Sequence, residues 1–216
     1  MKHYTRTLTL FLSISFAFTQ TQLGSDIDGE AAGDWSGNSV SMNSAGDRVA
    51  IGAPNNDGTW DPFGHVRVYE YSNSSWIQLG SDIDGEAAGD WSGNSVSMNS
   101  AGDRVAIGGP YNDGTDSYAG HVRVYEYSNN SWSQLGSDID GEAFRDYSGI
   151  SVSMDSAGDR VAIGATGNDA SGSYAGHVRV YEYSNSSWSQ LGSDIDGEAA
   201  SDGSGRSVSI NSAGDR

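Results

Sequence analysis

The sequence predicts an all-β chain forming part of a β-propeller, in which four-stranded antiparallel blades stack face to face. Three observations predict it. The string QLGSDIDGEA begins at Gln22, Gln78, Gln134 and Gln190, a spacing of 56 residues without insertion or deletion, and fixed-period self-similarity is the signature of a stacked array. Each unit holds four short runs rich in Val, Ile, Tyr and Trp between clusters of Gly, Ser, Asn and Asp, which is the punctuation of strands and turns. The chain has 30 glycines and no cysteine, a turn-rich composition without disulfide staples.

Taken in order, the first element is a leader. Lys2, His3 and Arg6 precede the apolar run Thr7 to Phe18 (TLTLFLSISFAF), and no acidic residue occurs before Asp26. This predicts a signal peptide over residues 1–17, cleaved after Ala17 or as late as Gln20. At 12 residues the run is too short to span a bilayer. Its removal leaves nine arginines and no lysine against 29 acids, a net charge of -20 compared with -18 for the whole chain. Such acidity excludes nucleic acid and anionic membrane as partners, and favours cations, glycans or proteins with basic patches. The chain is expected to be secreted or held at the cell surface, with no membrane insertion once the leader is gone.

Residues 22–77, 78–133 and 134–189 are three complete units, and 190–216 begin a fourth. In the first unit the strands are Ser39 to Asn43, Arg48 to Ala53, His65 to Tyr71 and Ser75 to Gly80. Val66 and Val68 alternate with Tyr69 and Tyr71 along the third, so both of its faces carry packing groups and the sheet needs neighbours on both sides. Two architectures meet that need, the propeller and the parallel solenoid. Four strands joined by short links favour the propeller. Asn43-Ser44-Ala45-Gly46-Asp47 suits a hairpin with Gly46 at positive φ, and Ser72-Asn73-Ser74 makes another tight link. Three blades and the start of a fourth predict an incomplete, truncated ring that self-associates through open blade edges. Sequons at Asn73, Asn129 and Asn185 matter only in a glycosylating host.

The segment SGNSVSMNSAGDRVAIGAP (Ser36 to Pro54), followed by GHVRVYEY (Gly64 to Tyr71), resembles the FG-GAP repeats that build the integrin α-subunit propeller and many secreted bacterial proteins. The resemblance recurs in every unit and covers essentially everything after the leader. It implies blades, an extracellular setting and a role in binding or adhesion. Family members that hold calcium do so in the hairpin after the first strand, in a loop resembling D-x-N-G-D-G-x-x-D. Here that hairpin runs from Asn43 to Arg48 and lacks most of the carboxylates, Asp155 and Asp159 of the third copy coming nearest.

Successive links in an antiparallel meander alternate between the two ends of the sheet, so the two long loops share one end. They are Pro54 to Phe63 and Ser81 to Asn94 in the first blade, and long loops on a rigid scaffold are where recognition usually resides. The copies differ mainly there. The interface-forming residue types at these variable positions are Trp60, Tyr111, Tyr118, Phe144, Arg145, Tyr174 and Arg206. The repeated DIDGE segment clusters oxygen ligands suited to calcium. The candidate ligands are Asp26, Asp28 and Glu30 with Asp57, Asp82, Asp84 and Glu86 with Asp113, Asp138, Asp140 and Glu142 with Asp169, and Asp194, Asp196 and Glu198.

No HExxH, nucleophile elbow, cysteine or mature-chain lysine offers catalytic chemistry. His65, His121 and His177 occupy one repeat position opening a strand, as framework residues do, and the chain is expected not to be an enzyme. The expected function is an extracellular binding or adhesion module whose acidic loops meet a protein or glycan ligand, with calcium as the one candidate cofactor. A structural spacer or surface-layer element is the alternative, and a polysaccharide-active propeller enzyme is the third reading.

Overall fold

The computed structural model describes residues 21–57 and 62–216. The expected leader and Trp60 lie outside the described residues. The first sheet contains β1 (Ser39–Met42), β2 (Arg48–Ala53), β3 (His65–Ser72), β4 (Ser75–Gln78) and β5 (Ile83–Asp84). The second contains β6 (Ser95–Met98), β7 (Arg104–Gly109), β8 (His121–Ser128), β9 (Ser131–Gln134) and β10 (Ile139–Asp140). The third contains β11 (Ser148–Met154), β12 (Arg160–Ala165), β13 (His177–Ser184), β14 (Ser187–Gln190) and β15 (Ile195–Asp196). Each is an antiparallel meander, and the three separate sheets stack as blades of a partial propeller.

Turn chemistry fixes the meander. Asn73 and Ser74 both take positive φ, 50° and 65°, between the paired residues Ser72 and Ser75, which is the geometry of a two-residue type I′ hairpin. In the β1–β2 turn the Asn43 Oδ1 accepts the backbone N–H groups of Asp47 and Arg48 at 3.1 and 3.0 Å, and Gly46 sits at φ 73°.

The outer strand runs further than its sequence suggests. The expected long loop begins at Ser81, but Ile83 and Asp84 rejoin the sheet beside Val66 and His65 as β5. Burial is the reason: Ile83 is enclosed in the core between the first two blades, as Ile139 is between the second and third. The long link to the next blade therefore starts at Gly85. In the fourth copy, residues 207–210 have no strand partner among the described residues.

One face of each blade meets the opposite face of the next. Ala50, Val66, Val68 and Ile83 of the first blade pack on Val96, Met98, Val105 and Ile107 of the second, with Leu79, Tyr125 and Trp132 at the margin. Ala106, Val122, Val124 and Ile139 meet Met154, Val161 and Ile163 in the same way. Each fully buried Val or Ile contributes roughly 1.5–3 kcal/mol, so these interfaces hold the array together.

Polar contacts repeat across the same boundaries. The Trp132 indole N–H donates to the Leu79 carbonyl at 2.7 Å, and Trp188 does the same to Leu135. The inner strands are stitched by serine, since Met98 N donates to Ser41 Oγ and Met154 N to Ser97 Oγ, both at 2.9 Å. At the hairpin end, backbone N–H groups of Ser44, Ser100 and Ser156 donate in turn to the carbonyls of Ser100, Ser156 and Ser212. Arg104 donates through Nε and Nη2 to Glu126 Oε1 and through Nη1 to the Gly158 carbonyl in the next blade. The arginine of the hairpin sequence thus ties blade to blade.

Candidate functional site

The two long loops of each blade do meet at one end of the stack, and their aromatic residues form a continuous stripe across blades. Trp35 meets Trp91 edge-on with ring centroids 5.5 Å apart, and Trp91 meets Tyr111 at 5.1 Å. Tyr111 then contacts Tyr118 at 5.8 Å and Tyr147 at 5.5 Å, while Tyr118 and Tyr147 stack at 6.4 Å. Trp35 and Tyr118 stay open to solvent at 53% and 40% exposure. Tyr174, the counterpart of Tyr118 in the third blade, is also exposed, and the Arg145 guanidinium lies 4.9 Å over the exposed Phe144 ring.

The backbone beneath the stripe is strained and well fastened. Trp35, Trp91 and Tyr147 occupy one repeat position at φ 57°, 56° and 55°, and Tyr118 and Tyr174 share another at 56° and 57°. Bulky side chains rarely adopt this left-handed region, and holding one there costs about 1–3 kcal/mol. The fourth copy places Gly203 at the Trp35 position, at φ 60°. Buried Asp90 and Asp146 cap the loops by accepting the N–H groups of Ala87 and Ala143, both at 3.0 Å. Loops of adjacent blades are bonded together, Arg145 N donating to Ser117 O and Tyr147 N to Tyr118 O. The outcome is a preorganised aromatic surface.

Of the residues expected to bind ligand, Tyr111 and Tyr118 lie in the stripe, Phe144 and Arg145 flank Tyr147 on its loop, and Tyr174 extends the row. Trp35, Trp91 and Tyr147 were not singled out, because repetition at a fixed position reads as framework. Their signal was the aromatic side chain in a Gly-rich turn whose last copy, Gly203, dispenses with one.

The acidic residues sort differently from the expected calcium loops. Asp113 and Asp169 accept the N–H groups of Tyr118 and Tyr174 at 2.8 and 2.7 Å, closing their own loops. Asp57, at φ 77°, lies with them outside any carboxylate cluster among the described residues. Asp28, Asp84 and Asp140 offer backbone carbonyls to Arg67, Arg123 and Arg179. Asp26 is engaged by the Gln22 amide. Asp196 pairs with His177 at the outer strand, and Glu198 follows it on the surface.

Glu30 with Asp82, Glu86 with Asp138, and Glu142 with Asp194 are brought together, each pair around the histidine of the blade, His65, His121 or His177. The histidines are 0–2% exposed. In the second cluster His121 Nδ1 stands 3.9 Å from Glu86 Oε2 and 3.6 Å from Asp138 Oδ2, while Arg123 Nη1 lies 3.5 Å from the other Glu86 oxygen. The facing imidazole holds the Asp138 carboxyl down at about 2, whereas burial pushes Glu86 up.

No family model matches the chain, and no curated protein matches it. Among solved structures it is similar to Saccharomyces cerevisiae Sqt1, at 15% identity over 73% of this chain and 35% of that one, with a TM-score of 0.46. It is similar to a candidate 6-phosphogluconolactonase from Bacteroides uniformis, at 9% identity over 73% and 40%, with a TM-score of 0.49. It is also similar to Kuenenia stuttgartiensis hydrazine synthase, at 9% identity over 83% and 42%, with a TM-score of 0.48. The chain spans less than half the length of each of these. The expectation that the chain is not an enzyme does not stand: one of these similar structures is a candidate lactonase.

Proposed function

We propose that the chain is an extracellular or cell-surface module that binds carbohydrate along the stripe from Trp35 to Tyr147. The observation that carries the reading is the set of bulky aromatics held at left-handed φ where the fourth copy has Gly203. Glycine meets that backbone demand at no steric cost, so the rings do not serve the turn. Exposed aromatic faces in a fixed row suit stacking on sugar rings, with hydrogen-bonding groups from the neighbouring loops setting orientation. The net charge of -18 disfavours anionic polysaccharides and favours neutral or cationic glycans. The finer likeness to FG-GAP repeats and the leader-like N-terminus support an extracellular setting for the same reading.

The test is a glycan array followed by titration of the best hit against the chain and a Trp35→Ala/Tyr118→Ala double variant. The reading requires binding that falls at least about tenfold, a loss of about 1.4 kcal/mol, in a variant that melts normally. Background-level signals across the array, or affinity unchanged in the variant, would sink it.

A structural role as a surface-layer or spacer element is the second reading. It is favoured by exposed apolar residues of the types that pack between blades. Val40 and Met42 are 62% and 52% exposed on the first blade, and Ile195 is 59% exposed on the third. A cavity of about 510 Å³ lies between that third-blade face and the fourth copy, lined by Ala162, Val178, Val180 and Leu191 on one side and Val208 and Ile210 on the other. Concentration-dependent assembly in sedimentation experiments, abolished by Val40→Glu, distinguishes it.

A further inference from the structure

The aromatic stripe leaves the three histidine clusters without a role. The second and third take their donors from both sides of a blade boundary. In the second, Glu86 follows the outer strand of the first blade, while His121 opens β8 and Asp138 precedes β10 in the next. In the first, Glu30 comes from the segment that precedes β1.

Three features mark these clusters as built for a ligand. The first is the orphaned imidazole: His121 Nδ1 and both ring nitrogens of His177 are buried and hydrogen-bonded to nothing, a condition that costs about 1–3 kcal/mol per group. The second is spacing. His Nδ1 lies 3.8 Å from both Glu30 and Asp82 in the first cluster and 3.5 Å from Asp194 in the third. These separations are too long for hydrogen bonds, which run about 2.7–3.2 Å. They are close to the edge, roughly 3.4 Å, of a tetrahedron whose centre is about 2.0–2.2 Å from each ligand. The third is orientation. Arg67, Arg123 and Arg179 lie within 3.6, 3.5 and 3.3 Å of the glutamate Oε1 atoms, and in the first two clusters the Oε2 atom is the one that faces the histidine.

We propose that each cluster binds one divalent transition-metal ion of the zinc class through His Nδ1 and two carboxylate oxygens, three ions per chain, those of the second and third clusters joining adjacent blades. One imidazole and two carboxylates form a donor set familiar for zinc, with room for water in a fourth position. The nitrogen ligand selects against calcium, which takes six to eight oxygens. Zinc would thereby lock the outer strand of one blade to the β3-type strand of the next, and Glu30 would secure the segment before β1.

The experiment is titration of the full chain with zinc chloride by calorimetry, with cobalt(II) as an optical probe and calcium as competitor. The expected result is three ions per chain, a raised melting temperature and cobalt absorption that excess calcium does not reverse. Glu86 is 44% exposed, so Glu86→Gln removes a ligand without burying a new group. It should lower the count from three to two, and the metal-free melting temperature, read separately, registers the lost ion pair with Arg123. His121→Gln should give the same count. A wild-type count other than three, a count unaltered by Glu86→Gln, or displacement of cobalt by calcium overturns the proposal.

Discussion

Asp155 stands beside Asp159 in the third β-hairpin, where the first two copies place an amide opposite the same carboxylate. In the second copy Asn99 Nδ2 donates to Asp103 Oδ1 at 2.7 Å, and Asn43 does the same to Asp47. Asp155 Oδ1 still accepts the N–H groups of Gly158, Asp159 and Arg160. Its other oxygen has no proton to give.

Burial and the neighbouring Asp155 carboxylate push Asp159 above its usual range. Asp159 therefore binds a proton more readily folded than unfolded, and stability gained at low pH is lost as pH rises through that elevated value. Asp155→Asn should restore the hydrogen bond and stabilise the chain by about 1 kcal/mol at neutral pH. The gain should shrink as pH falls toward the ordinary carboxylate range. Urea melts of both proteins at neutral and acid pH check the sign, and an equal or greater gain in acid would contradict it.

Trp132→Phe keeps most of the ring and removes the N–H that reaches Leu79 O across the blade boundary. The expected cost is roughly 1 kcal/mol, with a half-buried carbonyl left short of a partner. Trp76→Phe should cost less, because its bond to Leu23 O is solvent-exposed. Chemical denaturation of the two variants side by side gives the comparison.

Gly108 lies where the backbone of the next blade crosses β7. An added Cβ would stand 2.1 Å from the Gly149 carbonyl oxygen and 2.4 Å from Ser95 Oγ. The Ser95 hydroxyl donates to that same carbonyl at 2.8 Å, so the two hold one another in place. Gly108→Ala should cost 3 kcal/mol or more, above the usual ~1–3 kcal/mol for overpacking, and show as loss of soluble monomer. A variant melting within a few degrees of the parent would contradict the interlock.

Trp35→Gly separates folding from binding in the stripe. It relieves a left-handed residue at φ 57° and forfeits one edge-on contact with Trp91. The two effects, each about 1 kcal/mol, nearly cancel. Melting should stay within a few degrees while glycan affinity drops about tenfold or more, as read by titration on immobilised ligand.

Much of this architecture was legible because strands and turns announced themselves locally. β2 and β3 begin at Arg48 and His65, where the sequence placed them, and the tight link at Asn73-Ser74 is a two-residue turn. β5 was not legible. Two aspartates and a glycine around Ile83 read as a turn, and only the core of a neighbouring blade makes that isoleucine part of a strand. Tyr111 and Tyr118 stood out by differing among copies, whereas Trp35 and Trp91 were hidden by agreeing. The histidine clusters were illegible for a third reason. Glu86, His121 and Asp138 are dispersed along the chain and meet only when one blade docks on another, so no local spacing could encode them.

The equivalence of successive blade faces has an evolutionary consequence. Because Val66 and Val96 share one inter-blade core as Val122 and Val152 share the next, any unit can stand beside any other. Unequal recombination that adds or deletes a whole 56-residue unit leaves each junction complementary, whereas a one-residue slip would turn every side chain of a strand to the wrong face. Blade number is thus free to drift between generations while the period stays locked.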